Sequence, residues 1–152
     1  RSHMKTKIEM SLDLASRLST SIAIFFIDLD NFKIINDTYG HDTGDMYLYT
    51  TGAILSDSIR KTDFVARWGG DEFLILCTNF NDITYIEKLC IRIFNNINAK
   101  INKNNGFACN LEVSIGVSVY PNNGESINRL IDCADKAMFN AKKTDGNSFV
   151  IL

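Results

Sequence analysis

Hydrophobic residues along this chain follow two spacings, one typical of strands and one typical of helices. A nearly unbroken apolar run from Ser21 to Leu29 predicts a buried central strand. Valine and isoleucine alternate with smaller residues over positions 113–119, which predicts a second strand with one more polar face. Shorter apolar runs at 65–68, 73–77 and 149–152 predict three further strands, and the first two of these flank a glycine pair as a hairpin.

Five other stretches repeat their apolar residues at helical spacing. They predict helices over residues 5–19, 31–39, 43–59, 83–101 and 127–141. The resulting order, α-β-α-α-β-β-α-β-α-β, mixes hairpins with helical crossovers. It predicts an α+β (mixed α/β) fold, in which a central five-stranded mixed sheet is surrounded by helices.

Composition narrows the class of protein and of partner. At 152 residues, 45% hydrophobic and 22% charged, the chain is predicted to be one globular domain. Its net charge of −2 argues against polymeric nucleic acid but not against a small nucleotide bound through metal. The longest apolar run, from Ile22 to Ile27, is too short to span a bilayer, and no signal peptide is visible. A cytoplasmic domain is therefore expected, although a missing N-terminal region could anchor the full-length protein to a membrane.

The cysteines indicate the redox state of the compartment, and the first four residues indicate where the domain begins. Four cysteines without C-x-x-C spacing predict reduced, mostly buried thiols rather than a zinc site or a disulfide framework. The start Arg1-Ser2-His3-Met4 resembles an expression-tag remnant, so residues 1–4 are assigned to a tag and residues 5–152 to the domain.

The glycine pair Gly69-Gly70 is followed at once by two carboxylates, Asp71 and Glu72. Glycine pairs between strands form tight hairpin turns, and glycine lets a ligand approach the backbone closely. Acids at the exposed tip of such a turn can hold a metal or accept a proton. A plain solvated turn is the alternative, because Gly and Asp are ordinary turn residues.

Another pair of acids, Asp28 and Asp30, ends the buried first strand. Strand alternation places both side chains on one face, and the apolar run delivers them rigidly to the sheet edge. Mg²⁺ prefers carboxylate oxygens, a backbone carbonyl, waters and phosphates, which Asp28, the Leu29 carbonyl and the glycine turn could supply in part. A turn or a helix cap is the alternative, and Asp30 in particular could cap the helix that follows.

Residues 31–45 combine features that suit a phosphate and a purine base. A helix N-terminus with Lys33 just inside it favours phosphate. Asn36 and Asp45 flank a glycine-bearing turn, and an amide with a carboxylate can read a guanine edge. The carboxylate would accept from N1–H and the 2-amino group. The alternative for each is an ordinary turn or cap residue, and for His41 a surface histidine without a metal role.

These motifs together resemble the GGDEF-domain diguanylate cyclases. The matching segments are 28–33, 36–41, 44–45 and 69–73, in family order and spacing, within a resemblance that runs from about Ile8 to Leu152. Several separated motifs are much more specific than the five-residue signature alone. The resemblance implies the fold that this family shares with nucleotidyl cyclases and polymerase palms.

The resemblance implies metal and proton chemistry at four residues. Asp28 and the Leu29 carbonyl would bind Mg²⁺. Asp71 would bind both metals and accept the proton, and Glu72 would assist metal binding. Two Mg²⁺ per active half-site are implied, with Mn²⁺ as a substitute.

The resemblance also implies substrate contacts around the second predicted helix. Asn36 and Asp45 would recognise guanine, with His41 close to the nucleotide. Phe32 and Lys33 would contact phosphates, and Lys33 would stabilise charge in the transition state.

Further roles are implied elsewhere in the chain. Gly69 and Gly70 would leave room for the nucleotide, and Lys142 matches the family lysine that reaches the terminal phosphates. A solvated lysine at a helix end is the alternative for Lys142. Arg60 and Asp63 match the Arg-x-x-Asp site at which cyclic di-GMP inhibits the family, and an ordinary exposed helix end is the alternative.

The implied reaction condenses two GTP into cyclic di-GMP and releases two pyrophosphates. One domain holds one GTP, so at least a transient homodimer is implied, and fused sensor or effector domains are expected in the full-length protein. Two alternatives stay open: a GGDEF domain that only senses GTP or cyclic di-GMP, and a two-metal nucleotidyl cyclase with another base. Asp45 favours guanine, because adenine has no N1–H.

The chain departs from the family pattern at two places. The family stretch Asp-x-Leu-Thr-Gly-Leu-x-Asn-Arg has no match before the first helix. Gly146 occupies the position of an arginine that would grip the terminal phosphates, with Lys143 as a possible replacement. Both departures favour the sensing module, whereas the intact Asp28, Asp71 and Glu72 favour the enzyme.

Overall fold

The computed structural model describes residues 1–103 and 106–152. The elements in these residues are, in chain order, α1 (Ser2–Leu18), β1 (Ile22–Leu29), α2 (Phe32–Tyr39), α3 (His41–Ser58), β2 (Phe64–Gly69), β3 (Glu72–Thr78), α4 (Ile83–Lys100), β4 (Val113–Tyr120), α5 (Ile127–Ala141) and β5 (Ser148–Ile151). The strands form one sheet in the order β2-β3-β1-β4-β5.

The sheet is mixed, with β1 at its centre. β1 pairs antiparallel with both β3 and β4, and β2 and β3 form an antiparallel hairpin. β4 and β5 are parallel, because α5 crosses over between them. The predicted α+β class, with a five-stranded mixed sheet surrounded by helices, is confirmed.

Two helices begin earlier than the periodicity predicts. α1 begins at Ser2 rather than at residue 5, because Met4 is 2% exposed and anchors the first turn in the core. α3 begins at His41 rather than at residue 43. Gly40, with a φ of 91°, ends α2 and directly precedes α3, so a single glycine separates the two helices.

β1 is buried along its whole length and separates two hydrophobic clusters. Phe25 and Ile27 face a cluster built with α3 and α4, whereas Ile24 and Phe26 face a cluster built with α1 and α5. Side chains alternate between the two faces of a strand, so Asp28 follows Ile24 and Phe26. The carboxylate of Asp28 therefore lies on the side of the sheet that α5 covers.

α5 lies very close to β4 because Gly116 has no side chain. A Cβ at Gly116 would overlap the backbone oxygen of Ala134 and the backbone nitrogen of Met138. Two residues further along β4, the Ser118 hydroxyl donates to the Leu130 carbonyl oxygen at 2.7 Å. These contacts fix α5 against the sheet and determine where the residues at its C-terminal end can reach.

Two expectations drawn from the sequence concern the burial of the cysteines and the presence of membrane-spanning helices. Cys77, Cys90 and Cys133 are buried free thiols and Cys109 is a half-buried one, which confirms the prediction of mostly buried thiols. Burial raises the pKa of the Cys77 thiol to about 12. Among the described residues, no helix is both long and apolar enough to cross a membrane.

Candidate functional site

The glycine turn (residues 69–70) carries its two acids to the end of β1. Leu29 donates its backbone N–H to the Asp71 carbonyl oxygen at 3.2 Å. Asp28 lies opposite Glu72 in the register of β1 and β3. The four residues predicted to bind metal therefore lie together at one end of the sheet, although more than 40 residues of chain separate the two pairs.

Asp28 is a buried carboxylate in contact with one ammonium group. Its side chain is 9% exposed, and Oδ1 lies 2.7 Å from Nζ of Lys142. Burial raises the pKa of Asp28 to about 6; Lys142 opposes this rise, and the charges of Asp71 and Asp30 add to it. The end of β1 is thus a place where additional positive charge would be favourable.

Asp30 is held by a hydroxyl group and does not cap a helix. The Ser114 hydroxyl lies 2.9 and 3.0 Å from its two carboxylate oxygens. Asn31, with a φ of 58°, is the N-cap residue of α2, and no side-chain hydrogen bond caps this helix. The alternative in which Asp30 caps the following helix is therefore wrong. Burial also raises the pKa of Asp30.

Glu72 folds back over the turn that precedes it. A Cβ at Gly69 would lie 3.1 Å from Glu72 Oε2. Glu72 also lines a cavity of about 350 Å³ on this side of the sheet, together with Trp68 and with Asp135 of α5. Burial raises the pKa of Glu72, and the charges of Asp71 and Asp135 add to the rise. Glu72 thus adds negative charge to this end of the sheet from the side that α5 covers.

The residues at the end of β1 fit a divalent cation that also binds phosphates. Within residues 1–103 and 106–152, no three His, Cys, Asp or Glu side chains gather closely enough to hold a metal. Mg²⁺ usually takes one or two protein carboxylates and completes its shell with waters and substrate phosphates. Asp28 and Asp71, whose charges repel each other, supply such a partial set with the Leu29 carbonyl next to them.

An open cleft of about 350 Å³ lies between the glycine turn and the α2–α3 pair. Its volume falls within the range of small-molecule sites, roughly 300–1,000 Å³. The cleft is lined by Phe32, Lys33, Asn36, His41, Asp45, Leu48, Arg67, Gly70 and Asp71. All of these except Leu48 and Arg67 are predicted site residues. Of the predicted substrate-binding residues, Gly69 and Lys142 are not part of this lining.

Arg67 and Leu48 are the cleft residues that the sequence patterns miss. Arg67 is exposed on β2 and donates from Nε to the Gly70 carbonyl oxygen at 2.9 Å, which holds its guanidinium beside the turn. Leu48 is a core residue of α3 and is 7% exposed. The register of β2 against β3 shifts between Arg67 and Gly69, so regular strand alternation does not relate Arg67 to the glycine turn and gives no signal for it.

Asn36 lies against α3 because residue 44 is a glycine. A Cβ at Gly44 would overlap the side-chain oxygen of Asn36 and would lie 3.2 Å from the Phe32 ring. Gly44 is buried in α3, directly before Asp45. The missing side chain thus brings the Asn36 amide close to Asp45 in the cleft.

The turn formed by Arg60 and Asp63 lies at the far end of β3 from the acids. Oδ2 of Asp63 accepts from the Arg60 backbone N–H at 3.1 Å, and Oδ1 accepts from the Thr78 backbone N–H at 3.0 Å. The Arg60 guanidinium lies 3.8 Å from the centroid of the Tyr85 ring. At about 3.3 Å per residue, β3 separates Thr78 from Glu72 by roughly 20 Å. Asp63 thus ties the turn to β3, and the product-binding role of this pair stays a prediction.

The turn after α5 has a glycine at the position of the family arginine, and replacement of this arginine by Lys143 stays a prediction. Gly146 has a φ of 82°, a conformation that favours glycine. Asn147 Oδ1 accepts from the Val113 backbone N–H at 2.9 Å and thereby connects this turn to β4. Lys143 donates to Asn140 Oδ1 at 2.9 Å and does not line the cleft.

A mixed sheet with acids at the end of its central strand, next to a polar cleft, defines a domain of the nucleotidyl cyclase type. The sequence profile of the family described as "Diguanylate cyclase, GGDEF domain" matches residues 1–148, and the chain belongs to this family. The match includes residues 1–4, whose interpretation as a tag remnant stays a prediction.

A curated relative and two solved structures agree with this membership. Diguanylate cyclase DosC of Escherichia coli K12 is 34% identical over 152 residues, which cover 97% of this chain and 32% of that protein. The chain therefore spans about a third of the length of such relatives.

The solved structures match over nearly the whole chain. The GGDEF domain of YfiN (TpbB) from Pseudomonas aeruginosa has a TM-score of 0.93 at 30% identity and covers 99% of this chain and 94% of that one. The active GGEEF domain of a diguanylate cyclase from Vibrio cholerae has a TM-score of 0.88 at 27% identity, with coverage of 99% and 95%.

Proposed function

We propose that this domain is one half of a diguanylate cyclase, in which two copies condense two GTP into cyclic di-GMP and two pyrophosphates with Mg²⁺. The observation that supports this most strongly is the convergence of Asp28 and Asp71 beside a cleft that contains Asn36 and Asp45. DosC and the Vibrio cholerae domain carry the name of the same activity. A cytoplasmic location is part of the proposal.

Different residues of the cleft suit the base and the phosphates of the substrate. Asp45 accepts from guanine N1–H and the 2-amino group, and the Asn36 amide meets O6 or N3. Lys33 and Arg67 bring two positive charges to the cleft, where they favour the triphosphate. Phe32 is 8% exposed and gives this polar cleft an apolar wall.

The chemical step transfers one proton and exchanges one phosphorus–oxygen bond. Asp71 takes the proton of the attacking 3′-hydroxyl. The 3′-oxygen bonds to the α-phosphorus of the second GTP, while the bond to the bridging oxygen breaks and pyrophosphate leaves with its electron pair. Lys33 neutralises charge that gathers on the phosphate oxygens. Asp28 and Asp71 would hold Mg²⁺, which supplies further charge neutralisation and activates the hydroxyl.

The proposed reaction requires a second copy of the domain. The cleft of about 350 Å³ is taken to hold one GTP, and the second GTP then comes from a facing domain. In a sample that is monomeric by sedimentation, pyrophosphate release per domain from GTP should rise with protein concentration. A rate per domain that is independent of concentration would contradict the two-copy reaction. Equal release from ATP would favour a cyclase with another base.

A module that senses GTP or cyclic di-GMP without turnover is the second candidate. It is favoured by Gly146, whose backbone conformation suits glycine where the family has a phosphate-binding arginine. GTP binding without pyrophosphate release, at a protein concentration that supports dimers, would identify the module.

Gly44→Ala is expected to weaken GTP binding about tenfold. The added methyl group displaces the Asn36 side chain, and one lost hydrogen bond of about 1–1.5 kcal/mol corresponds to roughly that factor. Titration calorimetry with GTP measures the effect. Gly52→Ala is the matched control in α3, because its Cβ would lie 3.7 Å from the Phe73 ring, an ordinary contact. Equal affinities of the two variants would show that Gly44 does not position Asn36.

Asp63→Ala and Arg60→Ala are expected to have different effects. Asp63→Ala removes two hydrogen bonds from backbone N–H groups to a buried carboxylate, so it should lower the free energy of unfolding by about 3 kcal/mol. Arg60→Ala should leave stability nearly unchanged and relieve inhibition by cyclic di-GMP. Urea unfolding and product-inhibition curves measure the two effects. Unchanged inhibition in Arg60→Ala would make Arg60 an ordinary surface residue.

A further inference from the structure

Lys142 contacts the carboxylate that is proposed to bind metal. It directly follows α5, and its backbone N–H donates to the Met138 carbonyl oxygen at 3.0 Å. Its ammonium group lies 2.7 Å from Asp28 Oδ1, and 36% of its side chain is exposed. The family resemblance predicts that this lysine reaches the terminal phosphates, which is a different partner.

The backbone at Lys142 is held in place, whereas its long side chain can adopt other conformations. α5 is held on the sheet by the close approach at Gly116, and the Ser148 hydroxyl donates to the Ala141 carbonyl oxygen at 2.6 Å. The lysine side chain is a flexible four-carbon stem with a compact charge. Its ammonium can therefore move from Asp28 to a nearby anion without any movement of α5.

A lysine ammonium and a divalent cation at the same carboxylate oxygen repel each other. Mg²⁺ binds oxygen at about 2.0–2.1 Å, so an ammonium that stays in contact with that oxygen lies roughly 4 Å from the metal, where the two positive charges oppose each other. Asp28 has little room for a second arrangement, because its side chain is only 9% exposed. A divalent cation that binds Asp28 is therefore opposed by the charge of Lys142.

We propose that Lys142 is an internal competitor for the divalent cation at Asp28, and that the triphosphate of the nucleotide withdraws it. This inference rests on the proposed function. The lysine then weakens metal binding in the absence of nucleotide, and nucleotide binding removes this opposition. Because such coupling is reciprocal, metal and nucleotide each increase the affinity of the other. A domain without GTP therefore holds little metal at its acids.

The test measures Mn²⁺ binding in the absence of nucleotide, from the electron paramagnetic resonance signal of free Mn²⁺. Lys142→Met keeps the length of the side chain and removes the charge, and it should raise the Mn²⁺ affinity about tenfold. Lys142→Gln, a second variant in case the first unfolds, should behave in the same way. An affinity that is unchanged or lower in both folded variants would overturn the proposal.

Two controls separate competition at Asp28 from a general effect of charge. Lys143→Met removes the neighbouring charge, which contacts Asn140 instead, and should leave the Mn²⁺ affinity nearly unchanged. In an Asp28→Asn background, Lys142→Met should no longer raise it, because the contested ligand is gone. A gain that persists in this background, or that Lys143→Met reproduces, would refute competition at Asp28.

These measurements are independent of turnover. A gain in Lys142→Met with no cyclic di-GMP formed by the wild type would support the competition and contradict the cyclase. Cyclic di-GMP formation without such a gain would support the cyclase and contradict the competition.

Discussion

Asp71→Asn is expected to reduce the rate of cyclic di-GMP formation by about 10³-fold. Asparagine cannot accept the proton of the 3′-hydroxyl, and the substitution removes one of the carboxylates available to the metal. The fold should be unaffected, because Leu29 donates to the backbone carbonyl of residue 71, which asparagine keeps. Pyrophosphate release at saturating GTP measures the rate, and thermal unfolding checks the fold.

Asp37→Asn is the matched control for this prediction. Asp37 is an exposed acid on α2 and is not part of the cleft lining, so its substitution changes the net charge equally. The control should keep nearly full activity. If Asp71→Asn retained more than about a tenth of the wild-type rate, Asp71 would not be the proton acceptor.

Gly116→Ala is expected to lower the free energy of unfolding by about 3 kcal/mol or more. The added methyl group would overlap backbone atoms of Ala134 and Met138, and backbone cannot rotate away as the end of a side chain can. α5 would have to move off the sheet, and the contact of Lys142 with Asp28 would be lost with it. Urea unfolding monitored by circular dichroism measures the change.

Gly70→Ala is the control for this prediction. Nothing lies within 4 Å of a Cβ at Gly70, and its φ is not positive, so its stability should match that of the wild type. A loss of less than about 1 kcal/mol in Gly116→Ala would mean that α5 does not approach β4 as closely as described.

Hydrophobic spacing was sufficient to predict the elements and the mixed sheet. The run from Ser21 to Leu29 became the central strand, and the alternation at residues 113–119 became its neighbour β4. The helix starts were less predictable, because they depend on tertiary contacts. Met4 extends α1 by packing in the core, which no local pattern shows.

Within the candidate site, family resemblance predicted more than residue patterns did. It brought Asn36, Asp45 and Asp71 to one place, and the structure brings them to one cleft. Arg67 was missed because its position depends on a hydrogen bond to the turn that strand alternation does not specify.

Two side chains have contacts that motif spacing could not predict. Lys142 reaches Asp28 because α5 covers the face of β1 that carries this carboxylate, which only the packing reveals. The carboxylate of Asp63 accepts hydrogen bonds from two backbone N–H groups, whereas the Arg-x-x-Asp spacing implied a contact with a ligand.

The most direct test of the central claim is identification of the product formed from GTP. The protein is incubated with GTP and Mg²⁺ at a concentration that supports dimers, and the nucleotides are separated by chromatography and identified by mass spectrometry. We expect one cyclic di-GMP and two pyrophosphates for every two GTP consumed, and no product from Asp71→Asn. Bound but unconverted GTP, or conversion to GDP alone, would contradict the assignment as a diguanylate cyclase.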